Sequence, residues 1–183
     1  MTDIRRRSYE EGHRPKYLVV IDDSEECDRA LYFAAKRSAR ISASLVMLAV
    51  TETEGFDRWL GVGDVMKQEA DDAAEKRLAN AAARCRMISG IEAERVIRNG
   101  PKADVIREFI NEDRDIIFLV LAAAAGSDGP GPLVSLLAGK SAGIFPVPIV
   151  IVPAVPMSPT LRLPVRLIAP RTVGPITSTT GTS

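Results

Sequence analysis

The sequence predicts an α/β protein built on one doubly wound parallel sheet, and three observations carry that prediction. Strand-length segments recur along the chain, at 17–21 (YLVVI), 45–50 (LVMLAV), 91–98 (IEAERVIR), 116–121 (IIFLVL) and 147–152 (VPIVIV). The intervals between them are long enough for helices and place apolar residues at helical spacing. Strand and helix therefore alternate, which is the pattern of a parallel sheet with right-handed crossovers. A glycine-rich loop follows the most apolar segment, where open sheets of this kind bind ligands.

The first strand runs straight into Asp22, Asp23 and Ser24. Ser24 or Asp23 suits the N-cap of the helix that follows, with Glu25 and Glu26 in its first turn. Asp22 is left over and is the candidate ligand-binding carboxylate. That helix extends to about Ile41, burying Cys27, Leu31, Ala34, Ala35, Ser38 and Ala39 on one face. After the second strand, a polar connection over 51–63 holds Trp59, which could cover a ligand but is read as part of a surface loop that packs Trp59 and Leu60 on its own helix. A long helix over 64–87 then sets Met66, Ala70, Ala74, Leu78, Ala81 and Cys85 on one stripe, with mixed charges elsewhere.

The third strand is polar enough to lie near an edge. Asn99-Gly100-Pro101 turns the chain, and Pro101 fits the first position of a helix that buries Ala103, Ile106, Phe109 and Ile110. The fourth strand, 116–121, is apolar throughout, as expected of a strand covered on both faces. A short helix over 133–142 and the last strand close the domain. Pro148 cannot donate to a sheet ladder, so that strand belongs at an edge, where an apolar strand invites a second copy.

Composition narrows the function classes. The 183 residues suffice for one domain with a full core, and 24 basic residues balance 24 acidic ones. Nothing global argues for nucleic acid or an anionic membrane. Residues 1–15 are charged, carry no apolar signal segment and read as a solvated arm. No apolar run reaches the roughly 20 residues of a membrane span. The two cysteines, Cys27 and Cys85, have no ligand spacing and fall on predicted helix faces, so they read as buried thiols in a reducing, cytoplasmic compartment. His13 is the single histidine and lies in the arm, which removes support for Ser-His, Cys-His and multi-histidine chemistry. Residues 154–183 are rich in proline, threonine and serine, with no acidic residue, and read as a flexible tail.

The order strand-DxS-helix, strand, long helix, strand-GP-helix, DIIFLVL-glycine loop and PVPIVIV resembles the universal stress protein family over about residues 16–153. Its ATP-binding members carry Gly-x2-Gly-x9-Gly followed by a small hydroxyl residue. This chain reads Gly126-x2-Gly129-x9-Gly139, then Lys140 and Ser141. The resemblance implies a Rossmann-like sheet of order 3-2-1-4-5 and a homodimer paired through the last strand. It also implies that Asp22 and the backbone of Val50 adjoin an adenosine. Gly126, Gly129 and Gly139 would let the backbone wrap phosphates, joined by Lys140 and Ser141. Three positions depart from the family pattern: Lys140 replaces a small hydroxyl residue, Asp128 adds a negative charge to the loop, and the last helix is clipped.

Gly139-Lys140-Ser141 also imitates the end of a phosphate-binding P-loop. The first glycine of that motif would fall on Val134, and the triplet follows a helical run rather than a strand. No general acid/base pair or activated nucleophile can be assigned from spacing. The reading is therefore a binding module of the stress response that holds ATP, possessing a slow ATPase at most, with magnesium accompanying the nucleotide. The alternative is a member of the same family that binds no nucleotide and acts through protein contacts.

Overall fold

The computed structural model describes residues 5–8, 10–52, 62–125, 129–139, 143 and 145–154. The elements follow in strict alternation: β1 (Lys16–Val20), α1 (Cys27–Arg40), β2 (Ser44–Thr51), α2 (Val62–Ser89), β3 (Glu94–Asn99), α3 (Lys102–Glu112), β4 (Ile116–Ala122), α4 (Pro132–Ala138) and β5 (Ile149–Val152). All four strand pairings are parallel, and the five strands lie in the order β3-β2-β1-β4-β5. Chain direction across the sheet reverses at β1, so β1 and β4 are neighbours although about a hundred residues separate them. The crevice of a doubly wound sheet opens beyond the carboxyl ends of such a pair.

Strand alternation divides the core into two layers. Tyr17, Val19 and Ile21, with Leu45, Met47 and Ala49 of β2, face α1 and α2. Leu18 and Val20, with Val46, Leu48 and Val50, face α3 and α4. In β4 the alternation slips once. The register shifts between Lys16 and Tyr17, so that Ile116 pairs with Lys16 but Phe118 with Tyr17. The extra residue is a bulge, and it lets Ile116 join the α3 layer while Ile117 and Phe118 both pack on the α1 side.

Both edges are where the sequence puts them. β3 is half-exposed along its length and starts at Glu94, short of the predicted Ile91. β5 starts at Ile149, so Pro148 lies just outside it and contributes only its carbonyl, to Leu119 N at 3.1 Å. The long helix is displaced from expectation in its burial. Ala74, Leu78, Ala81 and Cys85 are buried, but Met66 is exposed. The 28 residues of α2 span about 42 Å, whereas the eight of β2 reach about 26 Å. The helix is thus much longer than the strand it packs on, and its first turns are exposed from Val65 to Glu69 among the described residues. Ala39, expected on the buried face of α1, is exposed, because it follows Ser38 directly and so points about 100° away from it round the helix.

The segment before β1 is held against the α3–β4 turn, where the sequence predicts a solvated arm. Arg6 Nη1 donates to the carbonyls of Ile110 (2.6 Å) and Asp113 (3.2 Å). The last turn of α3 has no basic residue of its own, so Arg6 supplies the cation that its C-terminal carbonyls favour. His13 Nδ1 lies 2.9 Å from Asp115 Oδ1, and Lys16 Nζ donates to Asp113 Oδ2 at 2.8 Å. The predicted tail beyond residue 154 and Trp59 lie outside the described residues. No helix among the described residues is long and apolar enough to cross a membrane.

Candidate functional site

The site grows from the carboxyl end of β1. Ile21 N donates to Leu48 O (2.8 Å), carrying the β1–β2 pairing one residue past the strand. The chain then leaves the sheet and Asp22 turns it. Asp22 Oδ1 accepts from both the backbone N (3.1 Å) and the hydroxyl (2.6 Å) of Ser24. Neither Ser24 nor Asp23 caps the helix as expected. The Ser24 hydroxyl instead donates to the Asp22 carboxylate two residues back, a local side-chain bond that holds the turn. α1 begins later, at Cys27, with Glu26 at the N-cap and no side-chain capping bond. Asp23 instead pairs with Arg77 of α2, and Asp28 with Arg84 at 2.6 Å, which ties the start of α1 to its neighbour.

Cys27 sits at this first turn and is only half-buried, with its Sγ 3.6 Å from Val20 O. Burial, with the nearby charges of Asp22 and Asp28 adding to it, pushes its thiol up to about 11. Cys85, buried in α2, is likewise pushed up by burial. Both are protonated near neutrality and are poor nucleophiles.

The opposite wall comes from β4. Its end is anchored by Ala123 N to Val152 O (2.8 Å), and Arg29 Nη2 of α1 donates to Ala123 O (2.6 Å). Ala124 N then bonds Pro130 O (3.0 Å), closing the glycine loop on itself. Gly129 has φ +107° and Gly131 has φ +93°, conformations that side chains rarely adopt. Pro132 follows at the first position of α4, and Gly131 O accepts the opening helical bond from Ser135 N (3.0 Å). Gly139 has a different duty. Its φ is ordinary, but a Cβ there would lie 2.5 Å from Ser135 O, so glycine is needed where α4 ends. α4 stops at Ala138, short of the predicted 142, and is only seven residues long.

Between these walls lies a cavity of about 10 Å³, lined by Val20, Asp22, Ser24, Glu26, Cys27 and Leu133, with Ala30, Leu121 and Ala122 at its base. That is room for about one water. The structure thus brings Asp22 to the β1/β4 crevice, with Gly129 and Gly131 in the loop that follows β4. Val50 is 8% exposed on β2, packed toward α3 and α4, and is not among the lining residues. Gly126, Asp128, Lys140 and Ser141 lie outside the described residues.

Sequence reasoning counts Gly131 among the loop glycines and places Glu26 in the first turn of the helix, but gives neither a place among the binding residues. The Gly-Pro-Gly-Pro alternation at 129–132 was a signal for the first: glycine supplies the positive φ and proline starts the helix. No local signal marked Glu26. A second polar cluster closes the far end of the same edge. Thr51 Oγ1 donates to Asp71 Oδ1 (3.1 Å), while Asn99 Nδ2 and Gly100 N both donate to Thr51 O (2.9 Å each). Among the described residues, no group of three His, Cys, Asp or Glu side chains is placed to hold a metal ion.

An open parallel sheet of order 3-2-1-4-5, with a glycine loop at its β1/β4 switch point, defines a Rossmann-like α/β protein. A family model described as the universal stress protein family matches residues 14–153, and the chain belongs to that family. Among solved structures, the chain is similar to the universal stress protein UspA from Lactobacillus plantarum, at TM-score 0.63 and 17% identity. That match covers 75% of this chain and 97% of the other. It is also similar to an Arabidopsis thaliana family protein with AMP bound, at TM-score 0.51 and 18% identity over 80% of this chain and 98% of that one. A third is the universal stress protein from Archaeoglobus fulgidus in complex with dAMP, at TM-score 0.50 and 21% identity, covering 75% and 95%. No curated protein sequence matches this chain.

Proposed function

We propose that this protein is an adenine-nucleotide-binding module of the stress response, cytoplasmic and homodimeric. The observation that carries the reading is the convergence at the switch point. Asp22 lies just past β1 and lines the crevice, and the loop after β4 holds Gly129 and Gly131 at positive φ, the kind of backbone that can turn its N–H groups toward an anion. The AMP and dAMP complexes of proteins with the same fold support the ligand class. In this reading Asp22 and the Val50 backbone meet the adenosine, and Gly126, Gly129, Gly139, Lys140 and Ser141 meet the phosphates. ATP with magnesium is the form the family resemblance implies, with slow hydrolysis at most. β5 is the dimer edge. It is a short apolar strand whose Ile151 is 43% exposed, and such an edge pairs readily with a second copy.

Calorimetric titration with AMP and with Mg-ATP tests the reading. Micromolar binding of either, abolished by Gly129→Val, is the expected outcome. Valine at φ +107° is strained, although nothing lies within 4 Å of the added Cβ, so the loop would rearrange and the core would not. No heat at millimolar nucleotide would overturn it. A second reading has one observation in its favour: the cavity of about 10 Å³ is far smaller than a nucleoside. A chain whose loop stays closed in this way would act through protein contacts alone, and the same null titration would favour it.

A further inference from the structure

Glu26 is the side chain at this site without an assigned task. It stands at the N-cap of α1 but makes no capping bond. Its carboxylate has no hydrogen-bond or ion-pair partner among the described residues. The cations nearby are committed elsewhere: Arg29 to the Ala123 carbonyl, Arg77 to Asp23, Arg84 to Asp28. What Glu26 does touch is the glycine loop. Its Oε1 lies 2.8 Å from the point a Cβ on Gly131 would occupy. It lines the cavity together with Asp22, and no lysine or arginine among the described residues lines it with them.

We propose that Glu26 is the selectivity residue of the crevice, favouring a ligand that presents neutral hydroxyl donors and rejecting one that carries several phosphates. This rests on the adenine-nucleotide reading and narrows it from ATP toward a nucleoside or nucleoside monophosphate. The reasoning is electrostatic. A polyphosphate drawn to the Gly131 backbone must bring its charge beside the Glu26 carboxylate, which no cation among the described residues neutralises. A ribose hydroxyl in the same place donates a hydrogen bond to that carboxylate instead. Asp22 acts in the same direction but more weakly, because its Oδ1 is already bonded twice by Ser24.

The test titrates the full chain with adenosine, AMP, ADP and ATP, with and without magnesium, for the wild type, Glu26→Gln and Glu26→Ala. The wild type is expected to bind adenosine at least about 10-fold more tightly than metal-free ATP, a difference of about 1.4 kcal/mol. Glu26→Gln, which keeps the shape and removes the charge, should bring ATP to within about 3-fold of adenosine. An unchanged adenosine-to-ATP ratio in Glu26→Gln overturns the proposal. So does recovery in Glu26→Ala alone, which would make Glu26 a steric plug. Weaker Mg-ATP binding by Glu26→Gln would overturn it too, since the carboxylate would then be holding the cation. If none of the four ligands binds any of the three proteins, the nucleotide reading has failed and the selectivity proposal falls with it.

Discussion

Replacing Gly131 by alanine separates backbone strain from side-chain collision at the centre of the site. The residue has φ +93° and ψ 159°, a region that is essentially open to glycine alone. Holding alanine there costs on the order of 2 kcal/mol. The added Cβ would also meet Glu26 Oε1 at 2.8 Å and Ala124 Cβ at 3.2 Å. The first contact is the tip of a flexible side chain and yields cheaply. The second is fixed, because Ala124 N is bonded to Pro130 O. Destabilisation of about 2–3 kcal/mol is therefore expected, most of it from the backbone. Urea unfolding followed by circular dichroism measures it, with a midpoint drop of about 1 M at unchanged slope. Adding Glu26→Ala should recover little, with a coupling under about 0.5 kcal/mol. A loss below about 0.5 kcal/mol, or near-full recovery in the double variant, would refute the reasoning, because the loop would then not require that conformation.

Other consequences follow from the same geometry. Leu78→Ala removes a fully buried side chain where α2 meets the sheet, and should cost about 3 kcal/mol in the same unfolding assay. Arg6→Ala removes two carbonyl contacts at the end of α3 and should cost about 1 kcal/mol, with faster amide exchange over residues 109–113 as its local signature. Cys27, whose thiol is pushed up to about 11, should react with iodoacetamide at pH 7.5 far more slowly than free cysteine. The linkage sign follows. The native state keeps a proton that the unfolded chain releases near 9, so this contribution is complete below pH 9 and is lost as pH rises toward 11. Cys27→Ser should flatten that alkaline decline, and an unaltered decline would show that another group causes it.

Much of the fold was legible because its signals are local. Alternation of apolar segments with helical stripes located the nine elements of the described residues, and the polar pattern of 91–98 and Pro148 marked both edges. Errors gathered where a tertiary partner intervened. Ser24 reads as a helix cap from composition, but the path of the chain off β1 delays α1 to Cys27, with Glu26 at its N-cap, and leaves Ser24 in the turn bonded to Asp22. Met66 continues the apolar stripe of α2, but it is exposed near the start of a helix much longer than the strand it packs on. His13 and Arg6 read as solvated because their partners, Asp115 and the end of α3, are more than a hundred residues away.

The candidate site divides along the same line. The glycines and Asp22 could be singled out from the chain alone, since positive φ and an acidic strand end are demands on particular residue types. The side chain that meets Gly131 could not. Glu26 looks like any first-turn glutamate until β1 and β4 are set side by side. Sequence by itself determined which segments become strands and helices, because burial on one or two faces imprints a period on each segment. Only the tertiary structure decided which strands adjoin, that β4 carries a bulge and that a carboxylate of α1 stands over the loop of β4. These depend on distances between segments far apart in the chain, and no local period records them.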